Sequence, residues 1–129
     1  MADAKWTFPE ALQPKADEVD FNLEAAMDAM VQLRSEVPAQ AFTAGILGTE
    51  RTGNGVVIRE DGLILTIGYL ITEASAVWLK SRRGKVVPAH PLGYDQATGL
   101  GLVMPLGKLE LPVMPRGSIT SAGEGDEVY

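Results

Sequence analysis

Thr52-Gly53-Asn54-Gly55-Val56-Val57-Ile58-Arg59-Glu60-Asp61-Gly62-Leu63-Ile64-Leu65-Thr66 decides the fold class. Gly55 to Ile58 reads as a strand. Glu60-Asp61-Gly62 reads as a hairpin turn, because glycine accepts positive φ without steric cost. Leu63 to Thr66 is the return strand. The same grammar continues downstream. Ala76 to Lys80 is a strand, Arg82-Arg83-Gly84 a turn, and Lys85 to Pro91 a second return. Leu100 to Val103 is a further strand, Val113-Met114 starts a short one, and Gly125 to Tyr129 resembles the opening of another. Between them Gly68 to Ala74 breaks the two-residue period and suits a helical turn.

Upstream, Val31 to Val37 alternates apolar and polar, which is strand spacing, and Pro38 ends it. Thr43 to Thr52 is expected as strand with an exposed loop. Asp20 or Asn22 can cap a short helix, setting Phe21, Ala25 and Met27 on one face with Met30 and Val31. Six or seven short strands with turns every ~8–12 residues predict a small antiparallel barrel or sandwich. Its expected core is Val57, Ile64, Leu65, Val77, Leu79, Leu100 and Leu102.

Composition agrees with one globular unit: 129 residues, 46% hydrophobic and 22% charged. There is no cysteine, which excludes disulfides and thiolate metal sites. Met1 to Glu10 lacks a basic-then-apolar layout, and no apolar run reaches the ~18 residues of a spanning helix. The reading is therefore cytoplasmic, with no membrane partner. The net charge of −6 argues against nucleic acid, whose phosphates need clustered Lys and Arg. Residues 1–40 carry eight acids against three bases, the remainder nine against eight. We therefore divide the chain into an acidic arm, 1–19, anchored by Trp6 and Phe8, and a β lobe, 20–129.

Four segments in fixed order carry a resemblance. Thr52 to Ile58 with Leu63 to Thr66 resembles the "GSGVVI…DGYILT" stretch of HtrA/DegP-like trypsin-fold serine proteases. Arg83 to Ala89 is similar to their "DGR-x-x-x-A" hairpin, and Tyr94 to Val103 to their "x-D-x-x-x-D-L-A-L-L". Gly125-Asp126 looks like the "VGD" that opens the last strand of the first lobe. The match runs from about residue 30 to the end. It implies an all-β fold: a single six-stranded antiparallel barrel of trypsin-like serine protease type, with a short N-terminal helix. It also implies that the family's nucleophile and oxyanion amides belong to a second barrel, before which this chain stops.

The departures from the family pattern concern chemistry. The family's catalytic histidine follows the "ILT" threonine by three residues; here that residue is Tyr69. The second Asp of "D-x-x-x-D-L-A" is the family's catalytic one; here it is Gly99, and Asp95 matches only the earlier, non-catalytic Asp. A serine hydroxyl needs a base with a pKa near the working pH. A phenol, with an ordinary pKa of ~10, holds its proton at pH 7. Glycine orients nothing. No catalytic residue is therefore assigned, and Tyr69 and Gly99 are degenerate triad positions.

Other candidates have structural readings. His90, the only histidine, lies away from the triad position and reads as a surface or half-buried residue. Ser35, Ser75, Ser81, Ser118 and Ser121 lie in no G-x-S-x-G elbow and read as turn or strand-edge residues. Gly53-x-Gly55 is a strand start, not a phosphate loop, since no lysine follows. Glu124, Asp126 and Glu127 lack a calcium-loop pattern, so no metal and no cofactor is expected. Arg82, Arg83 and Lys85 read as a solvated turn and Trp78 as core. The expected function is that of a non-catalytic protease homologue acting through contacts with protein or peptide. Its face around Tyr69, Leu70 and Gly99 is expected to self-associate as a homodimer. The alternatives are a fragment of a trypsin-like endopeptidase whose second lobe is absent, and an unrelated OB- or SH3-like barrel.

Overall fold

The computed structural model describes residues 8–128; Trp6 and Tyr129 lie outside them. The described chain opens with two 3-10 turns, Glu10–Leu12 and Ala16–Glu18, whose residues are all outside the core. Helix α1, Leu23–Asp28, follows. The Asn22 side chain caps it, accepting from the Ala25 amide at 3.1 Å. Then come β1 (Met30–Glu36), helix α2 (Ala44–Leu47), β2 (Glu50–Val57) and β3 (Ile64–Ile67). A 3-10 turn at Gly68–Leu70 leads to β4 (Ala76–Ser81), β5 (Val86–Tyr94) and β6 (Leu100–Pro105).

The six strands close into an antiparallel barrel in the order β1-β2-β3-β6-β5-β4. Closure comes from β1, which pairs with β2 on one side and β4 on the other. Both predicted hairpin turns form: the Gly62 amide donates to Arg59 O, and the Gly84 amide to Ser81 O. Alternation places every second side chain inside. The interior holds Val31 and Leu33 of β1, Val57 of β2, Ile64 of β3, Val77 and Leu79 of β4, Val87 and Ala89 of β5, and Val103 of β6. Gly53 and Gly55 let β2 run close to its neighbours. A Cβ on Gly55 would lie 2.5 Å from Ile64 Cγ2, and one on Gly53 2.5 Å from Leu70 Cδ1.

Several expectations are corrected. Leu65, Leu100 and Leu102 are not core. They face outward, Leu65 opposite Leu102, while Ile64, Gly101 and Val103 point in. The parity of β6 is set by Gly101, where a Cβ would meet Ile71 Cδ1 at 3.0 Å and Gly68 Cα at 3.2 Å. Trp78 lies between inward Val77 and Leu79 and so sits on the outer face, half-buried. Thr43 to Thr52 contains helix α2 before β2 begins. Val113-Met114 forms no strand; the Met114 amide donates to Val57 O at 2.8 Å, and Leu109, Leu111 and Val113 pack on the barrel. Residues 125–128 are exposed and form no strand. Leu70, expected on an exposed face, is 1% exposed.

Candidate functional site

Tyr69 stands in the middle of the Gly68–Leu70 turn, where the chain leaves β3. Its side chain is 46% exposed. The turn beneath it is held from four directions. The Ser35 hydroxyl, fully buried on β1, donates to Leu70 O. The Thr72 hydroxyl donates back to Gly68 O at 2.9 Å. The Gly68 amide donates to Gly99 O at 2.7 Å, which fixes the turn to the loop between β5 and β6. The fourth support is Arg51.

Arg51 lies on β2 with only 3% exposure. Its Nη1 donates to Tyr69 O (2.7 Å) and Thr72 O (3.0 Å), its Nε to Gly48 O (3.2 Å), and its Nη2 to Thr43 Oγ1 (2.8 Å). Thr43 in turn donates its hydroxyl and amide to Glu73 Oε2, and the Phe42 amide donates to Glu73 Oε1. These bonds, the Thr43 hydroxyl's foremost, hold the Glu73 carboxyl below the usual glutamate range. Glu73 has φ +59°, a left-handed conformation strained for a side chain of its size. The guanidinium and the carboxylate together bind the α2 loop to the Tyr69 turn.

Gly99 closes the β5–β6 loop with φ +76°. Asp95 organises that loop: its carboxylate accepts from the Thr98 hydroxyl (2.8 Å) and the Ala97 amide (3.2 Å), which lowers its pKa, the Thr98 bond contributing most. The Asp95 carboxylate is thus engaged within its own loop. Tyr69 lies next to Gly68, whose amide donates to Gly99 O, so the Tyr69 turn and the Gly99 loop are joined. Around them gather Ile67, paired with Leu100, and Tyr94, whose Cβ approaches Gly68. Ile67, Tyr94 and Leu100 are 53%, 48% and 44% exposed, so the turn sits in an open apolar face.

His90 is exposed on β5 opposite Met104, toward the far end of β6 from Gly99. Ser81 is buried and accepts from the Lys85 amide; Ser118 caps a 3-10 turn. Arg82 bridges to Glu24 (2.8 Å) and Asp28 (3.4 Å), and Arg83 to Asp28 (3.5 Å), so these bases of the turn face helix α1. Sequence reasoning missed Arg51 and took Ser35 for an edge residue. The signal was present: stepping back by twos from Val57 through Gly55 and Gly53 reaches Arg51, and forward from Val31 through Leu33 reaches Ser35.

No known sequence family and no curated protein matches this chain. Solved structures do. Two structures of the HtrA-type protease AlgW with tripeptide superpose with a TM-score of 0.67, at 21% identity over 80% of this chain. A serine endoprotease from Yersinia pestis superposes with a TM-score of 0.57, at 23% identity over 73% of this chain. The fold is that of a trypsin-like protease barrel lobe. That sets aside the reading as an OB- or SH3-like barrel. The match covers 31% of each of those chains, so this chain spans about a third of their length.

Proposed function

We propose that this chain is a non-catalytic homologue of trypsin-like serine proteases that works through protein–protein contacts. The observation that carries the proposal is the Tyr69 turn. Ser35, Arg51, Thr72 and Gly99 O support its backbone, yet its central side chain is a phenol and the neighbouring loop offers a glycine. By the family resemblance these are the positions that would carry the base and its orienting acid, and neither a phenol nor a glycine serves those roles. The open face of Ile67, Tyr69, Tyr94 and Leu100 suits contact, and its self-complementary partner is a second copy.

Labelling by a fluorophosphonate, read by intact-mass spectrometry, tests the catalytic half. The expected result is no adduct on any serine. A time-dependent, stoichiometric adduct that disappears in Tyr69→Phe would overturn the proposal.

A further inference from the structure

The connection between β1 and β2 carries the most exposed large apolar side chains between β1 and β6. Phe42 is 93% exposed, Ile46 88% and Leu47 40%. Such exposure is ordinary in a loose loop, but this loop is held. The Phe42 amide donates to Glu73 Oε1 at 3.1 Å, and the Thr43 amide and hydroxyl donate to Glu73 Oε2 at 2.7 and 2.6 Å. The Arg51 guanidinium donates to Gly48 O and Thr43 Oγ1 on this loop and to Tyr69 O on the next. One buried side chain therefore touches both the α2 loop and the Tyr69 turn, so the two are adjacent and fixed to each other. Apolar side chains presented on an ordered backbone lose less entropy when they enter a contact.

Area shows what the α2 loop adds. Taking ~200 Å² for a fully exposed large side chain, Ile67, Tyr69, Tyr94 and Leu100 offer ~400 Å² between them. That is about half of the ~800 Å² that each partner of a stable complex buries. Phe42, Ile46 and Leu47 offer another ~400 Å², which brings the joined surface to that size.

Charge selects the occupant. Val37 to Thr49 holds no charged residue, and the acids at its two ends, Glu36 and Glu50, share Arg34 at 3.7 and 3.2 Å. A neutral patch can meet its own copy about a two-fold axis without like-charge repulsion. A membrane anchor instead sets Lys or Arg beside its apolar residues, and none stands between Ser35 and Glu50.

We infer that the α2 loop, through Phe42 and Ile46, forms one half of a two-fold interface whose other half is the Tyr69 face, with a second copy of this chain as the occupant. The inference rests on the reading of the Tyr69 face as a self-contact and adds the element that brings it to the size of a stable interface.

Sedimentation equilibrium of the full chain at micromolar concentration tests it. Phe42→Ser and Ile46→Ser are each expected to weaken the dimer at least about thirtyfold, because a two-fold axis removes each contact twice. Both side chains are exposed in the single chain, so its melting temperature, measured below the concentration of association, holds in both variants. Phe42→Leu keeps the dimer within about tenfold of the native one. A native dimer that Leu100→Glu dissociates, but that Phe42→Ser and Ile46→Ser leave intact, overturns the inference and leaves the Tyr69 self-contact standing. A dimer broken by Phe42→Ser and untouched by Leu100→Glu separates the two surfaces and overturns the joint interface. A native chain that is monomeric throughout sinks the self-contact and the inference together. Flotation with phosphatidylcholine or phosphatidylglycerol vesicles that Phe42→Ser abolishes without changing the dimer assigns the loop to a membrane and also overturns the inference.

Discussion

Replacing Arg51 by methionine tests whether the Tyr69 turn is held as described. Methionine keeps most of the aliphatic stem and removes the guanidinium. Three carbonyls, of Gly48, Tyr69 and Thr72, lose their donor, and the Thr43 hydroxyl loses a partner. A hydrogen bond to a charged group contributes ~1.5–3 kcal/mol, and a polar group left buried without a partner costs ~1–3 kcal/mol. The bonds share one side chain and are not additive, and the cation regains hydration in the unfolded chain. Taking about 1 kcal/mol for each orphaned carbonyl gives a cost of ~3 kcal/mol. With a urea m-value of ~1.5 kcal/mol/M for a chain of this size, the midpoint falls by about 2 M. Equilibrium urea unfolding, followed by far-UV circular dichroism, reads this directly. Arg51→Lys recovers part of the loss, since an ammonium reaches fewer acceptors. A shift for Arg51→Met below ~0.5 M, or about 0.75 kcal/mol, would show that water replaces the guanidinium and would refute the account of the turn.

Three further outcomes follow from the same geometry. The double substitution Tyr69→His, Gly99→Asp restores no peptide-ester hydrolysis; it also lowers the melting temperature by about 3–5 °C, because an L-residue at φ +76° costs ~1 kcal/mol. Differential scanning fluorimetry and an esterase assay check both. The Glu73 carboxyl has a folded pKa below its unfolded value, so the stability it contributes is present above the ordinary glutamate pKa and is lost as pH falls through the folded one. Urea midpoints measured from pH 7 down to ~3 should fall less steeply in Glu73→Gln than in the native chain; equal slopes would contradict this. Sedimentation equilibrium at micromolar concentration should show a monomer–dimer equilibrium that Leu100→Glu abolishes; a strictly monomeric native chain would rule the dimer out.

Much of the barrel is legible because strand alternation and glycine turns are local signals. Val31 to Val37, Gly55 to Ile58 and Ala76 to Lys80 can be found from their own composition. What was not legible is which face of a strand points inward when both faces are apolar. In Leu100-Gly101-Leu102-Val103 hydropathy favours the leucines, yet Gly101 and Val103 point in because the Gly68 turn and Ile71 press on Gly101. Leu65 follows, since it pairs with Leu102. Trp78 is lost to the same ambiguity, flanked by two residues that fill the interior.

The site divides along the same line. That Tyr69 follows one strand and Gly99 precedes another was legible, because each lies at a fixed distance from a strand segment. Their supports could not be found by residue type, because Ser35 and Arg51 are polar residues at inward positions. Partners from more distant chain, the carbonyls of Leu70, Tyr69 and Thr72, together with the nearby Gly48 O and Thr43 Oγ1, make such burial tolerable. Helix α2 escaped because four residues carry too little periodicity to separate helix from loop.

The most direct test of the central claim is a casein-cleavage assay at high protein concentration between pH 6 and 8. The account predicts a rate equal to the buffer blank throughout, in the native chain and in Tyr69→Phe alike. A rate that rises in proportion to protein concentration and falls to the blank in Tyr69→Phe would contradict it.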